Sequence, residues 1–270
     1  MHADNSHEAV LALSNTIDQD NPEASLGTSI KRIMNADPTI KHLRITSQCI
    51  TDMEYMSNYC NYFGGNSESE DEEDDESDPN HVNVTRFFRE LDMSGDREDD
   101  TAKIGTWIAR CSRINTVEIK VEDTSSANEH QHTILDDDEL SGFFSEISGS
   151  HSISTLHFDG CTFDHYSLEN AGAIMDITNL KNIQFSKCFF KAGGADIFAQ
   201  AEQICDNLEH VSFDRCIFDT EEDHNVFLYI TTMEHLETLN VVRCSISAKA
   251  MKMIIRDIKD HHGVNVEIQN

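Results

Sequence analysis

The chain has 270 residues, of which 38% are hydrophobic, and this is enough for one sizeable domain or two small ones. A formal charge of −30 disfavours nucleic acid as a partner and leaves basic proteins, or simple solubility, as reasons for the acidity. No apolar stretch reaches the roughly 18 residues of a transmembrane helix, and the N-terminus lacks the features of a signal peptide. We therefore expect a cytoplasmic or nuclear protein that makes no membrane contact.

The chain contains eight cysteines, most of them inside apolar segments and none in a paired CxxC spacing. Such cysteines are typical of reduced, buried thiols in an intracellular protein. Cys205 is predicted on the buried face of a helix, so a catalytic thiol is not expected there. For Cys60 and Cys111 the degree of exposure decides the role.

Residues 1–36 are predicted to form an N-terminal helical cap, with a short helix near Glu8 to Ser14 and a second around Ser29 to Met34. Residues 37–63 form a first degenerate repeat. Its strand is predicted from Ile40 to Ile45, because it matches the strand pattern of the later repeats.

Residues 64–80 are predicted to be a disordered acidic insertion. The run from Ser67 to Asp78 is too charged and too poor in apolar groups to order itself. Ser67 and Ser69 each precede an acid by three residues, which makes them candidate phosphorylation sites for acid-directed kinases. An inert, solubilising insertion is the alternative.

Residues 81–150 are predicted to hold degenerate repeats with helices and a polar loop. Amphipathic spacing indicates the helices, and strict alternation indicates one strand. The predicted helices are Val82–Leu91, Ala102–Cys111 and Leu140–Ile147, the strand runs from Ile114 to Lys120, and the loop from Glu122 to His132.

Residues 151–270 contain regular repeats, which become visible when the chain is aligned with itself. In each repeat an apolar segment with alternating residues leads to a cysteine, and these cysteines are 27, 28 and 28 residues apart. Because neither strand nor helix can bury its apolar face alone, consecutive units are expected to stack as a solenoid. The four segments are Leu156 to Phe163, Ile183 to Phe190, Val211 to Phe218 and Leu239 to Ile246.

The connections between these segments change from alternating to helical spacing. The end of the chain returns to alternation, which predicts a capping strand in which Val266 lies 27 residues beyond Leu239. Helical spacing is seen, for example, at Ile174, Ile177 and Leu180.

The four segments resemble the leucine-rich-repeat pattern LxxLxLxxC/NxL, in a cysteine-containing form similar to diatom-style LxxLxFxxCxF repeats. The period is similar to that of the ribonuclease-inhibitor type. This resemblance implies an α/β leucine-rich-repeat solenoid, with a curved parallel β-sheet on the concave side and helices on the convex side. It also implies a buried ladder of cysteines that bond backbone groups in the turns, formed by Cys161, Cys188, Cys216 and Cys244.

A strand array of this kind presents the residues between the buried ones on its concave face, where a partner would bind. This surface is mixed and polar, which favours a protein ligand over a phosphate backbone. An ordinary solvated sheet face is the alternative. The predicted binding residues are His157, Asp159, Gln184, Ser186, Ser212, Asp214, Asn240 and Val242.

Signatures of catalysis and of metal or cofactor binding are missing from the sequence. The patterns GxGxxG, GxxxxGK[ST] and GxSxG do not occur. The histidines of Glu129 to His132 and of His261–His262 lack the spacing of a zinc protease, and Asp136 to Glu139 lack that of a calcium loop. We therefore expect solvated histidines, an acidic helix cap, no metal and no cofactor.

Together these observations predict a non-enzymatic, monomeric protein-binding module or scaffold whose partner is a protein of unknown identity. The segment Cys49 to Asp52 resembles repeats of ubiquitin-ligase substrate receptors, although the residues before Ile40 are too few and too polar for a ligase-docking domain. The acidic run is similar to that of acidic leucine-rich nuclear phosphoproteins, which suggests a binder of histones or other basic proteins, although here it interrupts the repeats. An enzyme that uses a cysteine or a metal is the last alternative.

Overall fold

The structure is a computed structural model, and most of its described residues lie in the second half of the chain. The predicted helices at Ser29 to Met34 and Val82 to Leu91 lie outside the described part, as does the acidic insertion at 64–80. The structure describes residues 9–13, 40–46, 102, 105–106, 108–121, 135, 141–194, 196–201, 207–219, 226–231, 233–260 and 264–269.

Within these residues the fold is α/β, with a parallel sheet of eight strands whose order in space follows their order along the chain. Parallel neighbours require a crossover, and in the regular part of the chain each crossover contains a short second strand or a helix, or both. The eight strands are β1 (Ala9–Leu13), β2 (Ile40–Thr46), β3 (Thr116–Lys120), β4 (Thr155–Asp159), β6 (Asn182–Ser186), β8 (His210–Asp214), β10 (Thr238–Val242) and β11 (Asn265–Gln269).

One register runs from β2 to β11 without an offset. Phe158 pairs with Phe185 and Phe185 with Phe213, and the apolar residues two positions earlier pair in the same way. The predicted capping strand is confirmed, because Val266 on β11 pairs with Leu239 on β10. Residues of the same repeat position therefore form straight rows across the sheet.

A second, smaller sheet follows the carboxyl ends of three large-sheet strands. It consists of β5 (Thr162–Phe163), β7 (Phe189–Phe190) and β9 (Ile217–Phe218), which are also parallel. The sequence pattern includes these phenylalanines but does not separate the short strands from the turns.

Phenylalanine rings connect the repeats in two stacked columns. On the large sheet the ring of Phe185 stacks on Phe158 at 5.3 Å and on Phe213 at 5.0 Å between centroids. On the small sheet the corresponding distances are 4.9 Å for both neighbouring pairs. The columns meet edge to face, as at Phe163 and Phe185, with 75° between the ring planes. Such pairs add about 0.5–1.5 kcal/mol each beyond the area that they bury.

Among the described residues, four helices pack against the apolar face of the large sheet and share its core, and a fifth helix contacts the last of these four. Two helix side chains, Phe198 and Phe227, illustrate this packing, because the centroid of each ring lies 5.2–5.5 Å from that of a phenylalanine ring on the sheet. Contacts link each helix to the next along the chain. The helices are α1 (Ser141–Ser148), α2 (Leu168–Met175), α3 (Asp196–Ala201), α4 (Val226–Thr231) and α5 (Ala248–Asp260).

The predicted helix near Glu8 to Ser14 is wrong, since Ala9–Leu13 is the strand β1. A run of five apolar residues is too short for its periodicity to distinguish a helix from a strand. Pairing with the edge of β2 determines that these residues form a strand. The N-terminal cap predicted for residues 1–36 is therefore not purely helical.

The helical spacing of Ile174, Ile177 and Leu180 is only partly helical in the structure. The helix α2 ends at Met175, and Ile177 and Leu180 lie in the turn that leads to β6, where both are buried. Their side chains still serve the core, because the turn directs them against it. Among the described helices, none is long and apolar enough to cross a membrane.

The stacked columns predict that Phe185→Ala lowers the free energy of unfolding by about 3–5 kcal/mol, because the ring is buried and its loss leaves a cavity. Its neighbour Gln184 is exposed, so Gln184→Ala is the matched control and should change stability by less than about 0.5 kcal/mol. Urea denaturation of the three proteins measures both effects. Equal losses in the two variants would contradict the described facing of β6.

Candidate functional site: the open face of the sheet

We use the name open face for the side of the large sheet opposite the helices. One of its rows, the central row, has a residue from each of seven neighbouring strands, aligned by the common register. The central row consists of Arg44, Glu118, His157, Gln184, Ser212, Asn240 and Glu267.

A second row, the carboxyl-end row, lies two residues further along each strand. The eight residues predicted from the sequence as binding residues divide equally between the two rows, so the structure brings them together. Gln184 is exposed and the other seven are partly buried. The carboxyl-end row consists of Lys120, Asp159, Ser186, Asp214, Val242 and Gln269.

A buried carboxylate organises one end of the central row. Glu118 is only 5% exposed, although it faces away from the helices. Its Oε2 accepts a hydrogen bond from Arg44 Nε at 2.6 Å and lies 3.2 Å from His42 Nε2. Its Oε1 lies 3.8 Å from His157 Nδ1. A carboxylate with so little water needs the Arg44 guanidinium and these polar neighbours, because an unpaired buried charge is costly.

His157 extends this cluster to the next strand. Its Nε2 is hydrogen-bonded to Ser186 Oγ at 2.9 Å, so polar contacts run from Arg44 on β2 to Ser186 on β6. Burial lowers the pKa of His157, although the nearby carboxylates of Glu118 and Asp159 oppose this shift. His157 is therefore neutral at pH 7 and able to bond Ser186 as either donor or acceptor.

The sequence places Glu118 on the exposed side of a strand but does not predict its burial or the contact with His42. Alternation within β2 could have found His42, because it shares the facing of Arg44. Its contact with Glu118 joins segments 76 residues apart along the chain, and spacing alone does not reveal such a contact.

Cations follow the carboxyl-end row at the turns after three of its strands, β6, β8 and β10. Lys187, Arg215 and Arg243 have φ angles of 53°, 56° and 54°, and Gly160 has 74° at the same place in its repeat. The left-handed conformation costs a residue with a side chain roughly 1–2 kcal/mol. This conformational cost arises at Lys187, Arg215 and Arg243, each of which directly precedes a cysteine that the turn brings under the sheet.

These turn cations pair with acids of the carboxyl-end row. Arg243 Nη2 lies 2.6 Å from Asp214 Oδ1, and Arg215 Nε lies 3.1 Å from Asp214 Oδ2. Lys187 Nζ lies 3.7 Å from Asp159 Oδ1. Each cation is more than half exposed, so the pairs contribute little stability and stay available to a partner.

The open face is close to neutral, whereas the chain as a whole carries −30. Opposite charges on its two rows and in the following turns almost balance. The positive residues are Arg44, Lys120, Lys187, Arg215 and Arg243, and the negative ones are Glu118, Asp159, Asp214 and Glu267.

The four repeat cysteines form a ladder beneath the turns. Each thiol donates a hydrogen bond to a backbone carbonyl of the preceding repeat, as Cys188 does to Phe158 at 3.4 Å and Cys216 to Phe185 at 3.4 Å. Cys161 and Cys244 make the equivalent bonds at 3.5 Å. Cys244 is only partly buried, unlike the other three, because the last repeat covers it less.

The protonated state is favoured for three of these thiols, those of Cys188, Cys216 and Cys244. Burial raises the pKa of Cys188, while hydrogen bonding to Cys188 raises the pKa of Cys216. Hydrogen bonding to Cys216 likewise raises the pKa of Cys244. Since the thiolate is the nucleophile, these residues are structural.

Several sequence predictions fall outside the described residues. Within the described part of the chain, no group of three or more His, Cys, Asp and Glu could hold a metal ion. The predictions that lie outside it are the phosphorylation sites Ser67 and Ser69, the histidines of 129–132 and 261–262, and the acids of 136–139.

Comparison with known proteins gives no relative, because neither a family model nor a curated protein sequence matches the chain. The geometry of the open face is therefore the basis for assigning a function.

The lowered pKa of His157 predicts that acidification destabilises the fold. Because the folded state favours the neutral ring, its contribution is present above the unfolded pKa of about 6.5 and is lost as the pH falls through the lower folded value. The free energy of unfolding of the native chain should fall more steeply below pH 6.5 than that of His157→Gln, which has no titrating ring. Parallel pH profiles of the two proteins would contradict this assignment.

The cysteine ladder predicts that Cys161, Cys188 and Cys216 resist alkylation by iodoacetamide at pH 8 in the native protein. Burial limits access of the reagent to all three thiols, and the raised pKa values of Cys188 and Cys216 leave almost no thiolate at those two residues. Mass spectrometry of peptides alkylated before and after unfolding in urea makes the comparison within one protein. Native labelling of Cys188 as fast as in the unfolded chain would show that the ladder is open.

Proposed function

We propose that this chain is a leucine-rich-repeat protein of the cysteine-containing type, and that its open face binds another protein without catalysing a reaction. The architecture supports this proposal through its repeat period, its parallel strands in chain order and its helices on the other side of the sheet. In this proposal the open face is the concave side of a solenoid.

The observation that carries the proposal is the central row itself. Seven aligned polar side chains cross the sheet, in a face where charges balance although the chain is strongly acidic. A surface of balanced charges and amide groups offers hydrogen bonds of both kinds, which suits the mixed surface of a protein. It does not suit a phosphate backbone, which needs an excess of cations.

The Glu118, His157 and Ser186 contacts could suggest nucleophilic catalysis, but their surroundings disfavour it. Ser186 lies between Asp159 and Asp214 in its row, where negative charge on a reacting carbonyl would be repelled. The backbone N–H of Lys187, which follows the hydroxyl residue, already donates to Asp214 O at 2.8 Å. An oxyanion would lack that donor, so recognition is the better use of these groups.

We also propose that the protein works in the cytoplasm or the nucleus, because free thiols such as those of the cysteine ladder are typical of reducing compartments. A monomer is sufficient for binding, because every residue of the central row comes from one chain.

Site-specific photo-crosslinking tests this function. A benzophenone amino acid replaces Gln184 or Ser212 in the central row, and in matched controls it replaces exposed Glu169 on α2 or Glu234 in a turn. The same protein should be crosslinked from native extract at both central-row positions and at neither control position. Crosslinking only at the controls, or equally at all four, would exclude the open face as the binding surface.

A further inference from the structure

Among the described strands, β11 is at the edge of the sheet, where it leaves backbone groups unpaired and apolar side chains only partly buried. Within the described residues it pairs with β10 on one side and with no strand on the other. We infer that this edge binds an extended segment of a partner protein, in which apolar residues alternate with Lys or Arg, as a ninth strand of the sheet.

Backbone geometry identifies which groups point to the free edge. Asn265 N donates to Glu237 O, and Gln269 O accepts from Arg243 N, so the odd-numbered residues of β11 face β10. In a parallel ladder successive residues alternate in direction. The N–H and C=O groups of Val266 and Ile268 therefore point outward, where a ninth strand would meet four hydrogen-bonding groups.

The apolar side chains of the same two residues leave the core open at this end. Val266 and Ile268 are only partly buried, although they pack against the core. Their partners on β10, Leu239 and Val241, are 0% and 1% exposed. The difference arises because β10 has a neighbour on both sides and β11 has one. A ninth strand with apolar residues on the helix side would complete the burial.

The charge of β11 and its surroundings favours Lys or Arg at the positions of the partner segment that alternate with the apolar ones. Glu267 lies on the open face between Val266 and Ile268 and is exposed, with its carboxylate bonded to the amide of Gln269. Exposed Glu237 lies just before β10, and the whole chain carries −30. A cross-strand partner of Glu267 is therefore favoured when it is Lys or Arg.

Charge also disfavours a second copy of this chain as the ninth strand. When two β11 strands related by a two-fold axis pair over their full length, Asn265–Gln269, Val266 faces Ile268 of the other copy. That register sets Glu267 directly opposite Glu267 of the other copy, between two chains of charge −30. Like charges opposite each other destabilise such a pair.

Three features that commonly protect edge strands from pairing are absent from β11. Edge strands commonly avoid further strands by means of Lys, Pro or a bulge. The strand Asn-Val-Glu-Ile-Gln contains neither Lys nor Pro, and its register with β10 is regular. This edge is thus built for backbone recognition, the mode in which an extended peptide adds to a sheet.

The test uses the full chain and an acetylated, amidated peptide of alternating lysine and valine, seven residues long. Two further peptides carry N-methyl groups, one on every valine and the other on every lysine. Strand pairing uses only one of these sets of N–H groups, so one methylated peptide should bind at least about tenfold more weakly than the other. Equal binding of both methylated peptides would mean that the interaction depends on charge and not on backbone hydrogen bonds, and it would overturn the proposal.

Hydrogen exchange at residue level locates the binding. The amides of Val266 and Ile268 point outward, so their exchange should slow when the peptide binds, while already paired amides such as Asn265 should change little. Protection of these two amides in the chain alone, together with a dimer in sedimentation, would assign the edge to self-association and overturn the proposal.

Two variants separate charge from backbone. Glu267→Lys should reverse the charge preference: it should weaken binding of the lysine–valine peptide about tenfold and strengthen binding of a glutamate–valine peptide. Val266→Pro removes one outward N–H and leaves the donors to β10 in place, so it should weaken both peptides. Unchanged affinity in both variants would contradict the inference. The methylated peptides on the unaltered chain decide the matter if the proline variant does not fold.

Discussion

The register of the parallel strands is the constraint on which the rest of this structure depends. From β2 to β11 each strand pairs with the next without an offset. The phenylalanine rings of successive repeats therefore stack on one another, and each thiol lies within hydrogen-bonding distance of a carbonyl of the preceding repeat. A slip of one residue in β4, β6 or β8 would turn the buried phenylalanine of that strand, Phe158, Phe185 or Phe213, to the open face. Packing of the core thus fixes the alignment of the polar side chains on the open face.

The same constraint explains why polar groups can be concentrated on one side of the sheet. A carboxylate such as Glu118 survives with 5% exposure because aligned neighbours supply Arg44, His42 and His157. Further along the row, where Gln184, Ser212 and Asn240 lie, no such cluster forms among the described side chains. The surface therefore combines a charged end held by several polar contacts with a region of amide and hydroxyl groups. That combination is suited to selective recognition.

Repeats made most of the fold predictable, because the 27- and 28-residue period fixes which residues become neighbours. Val266 could be paired with Leu239 by counting alone. Prediction failed where long-range contacts decide, as for β1, whose strand conformation depends on β2. The sequence likewise placed Glu118 on the correct face but missed its burial, since His42 and His157 come from other segments. It did not predict the left-handed Lys187, Arg215 and Arg243, where glycine would be less strained.

An engineered metal site tests the register most directly. Ser212 and Asn240 are paired in the central row, so Ser212→His with Asn240→His should place two imidazoles close enough to share one nickel ion. Nickel should then raise the free energy of unfolding of the double variant by at least about 1 kcal/mol more than that of either single variant. An equal effect on the double and single variants would mean that these side chains are not aligned, and the central row on which the proposed function depends would not exist.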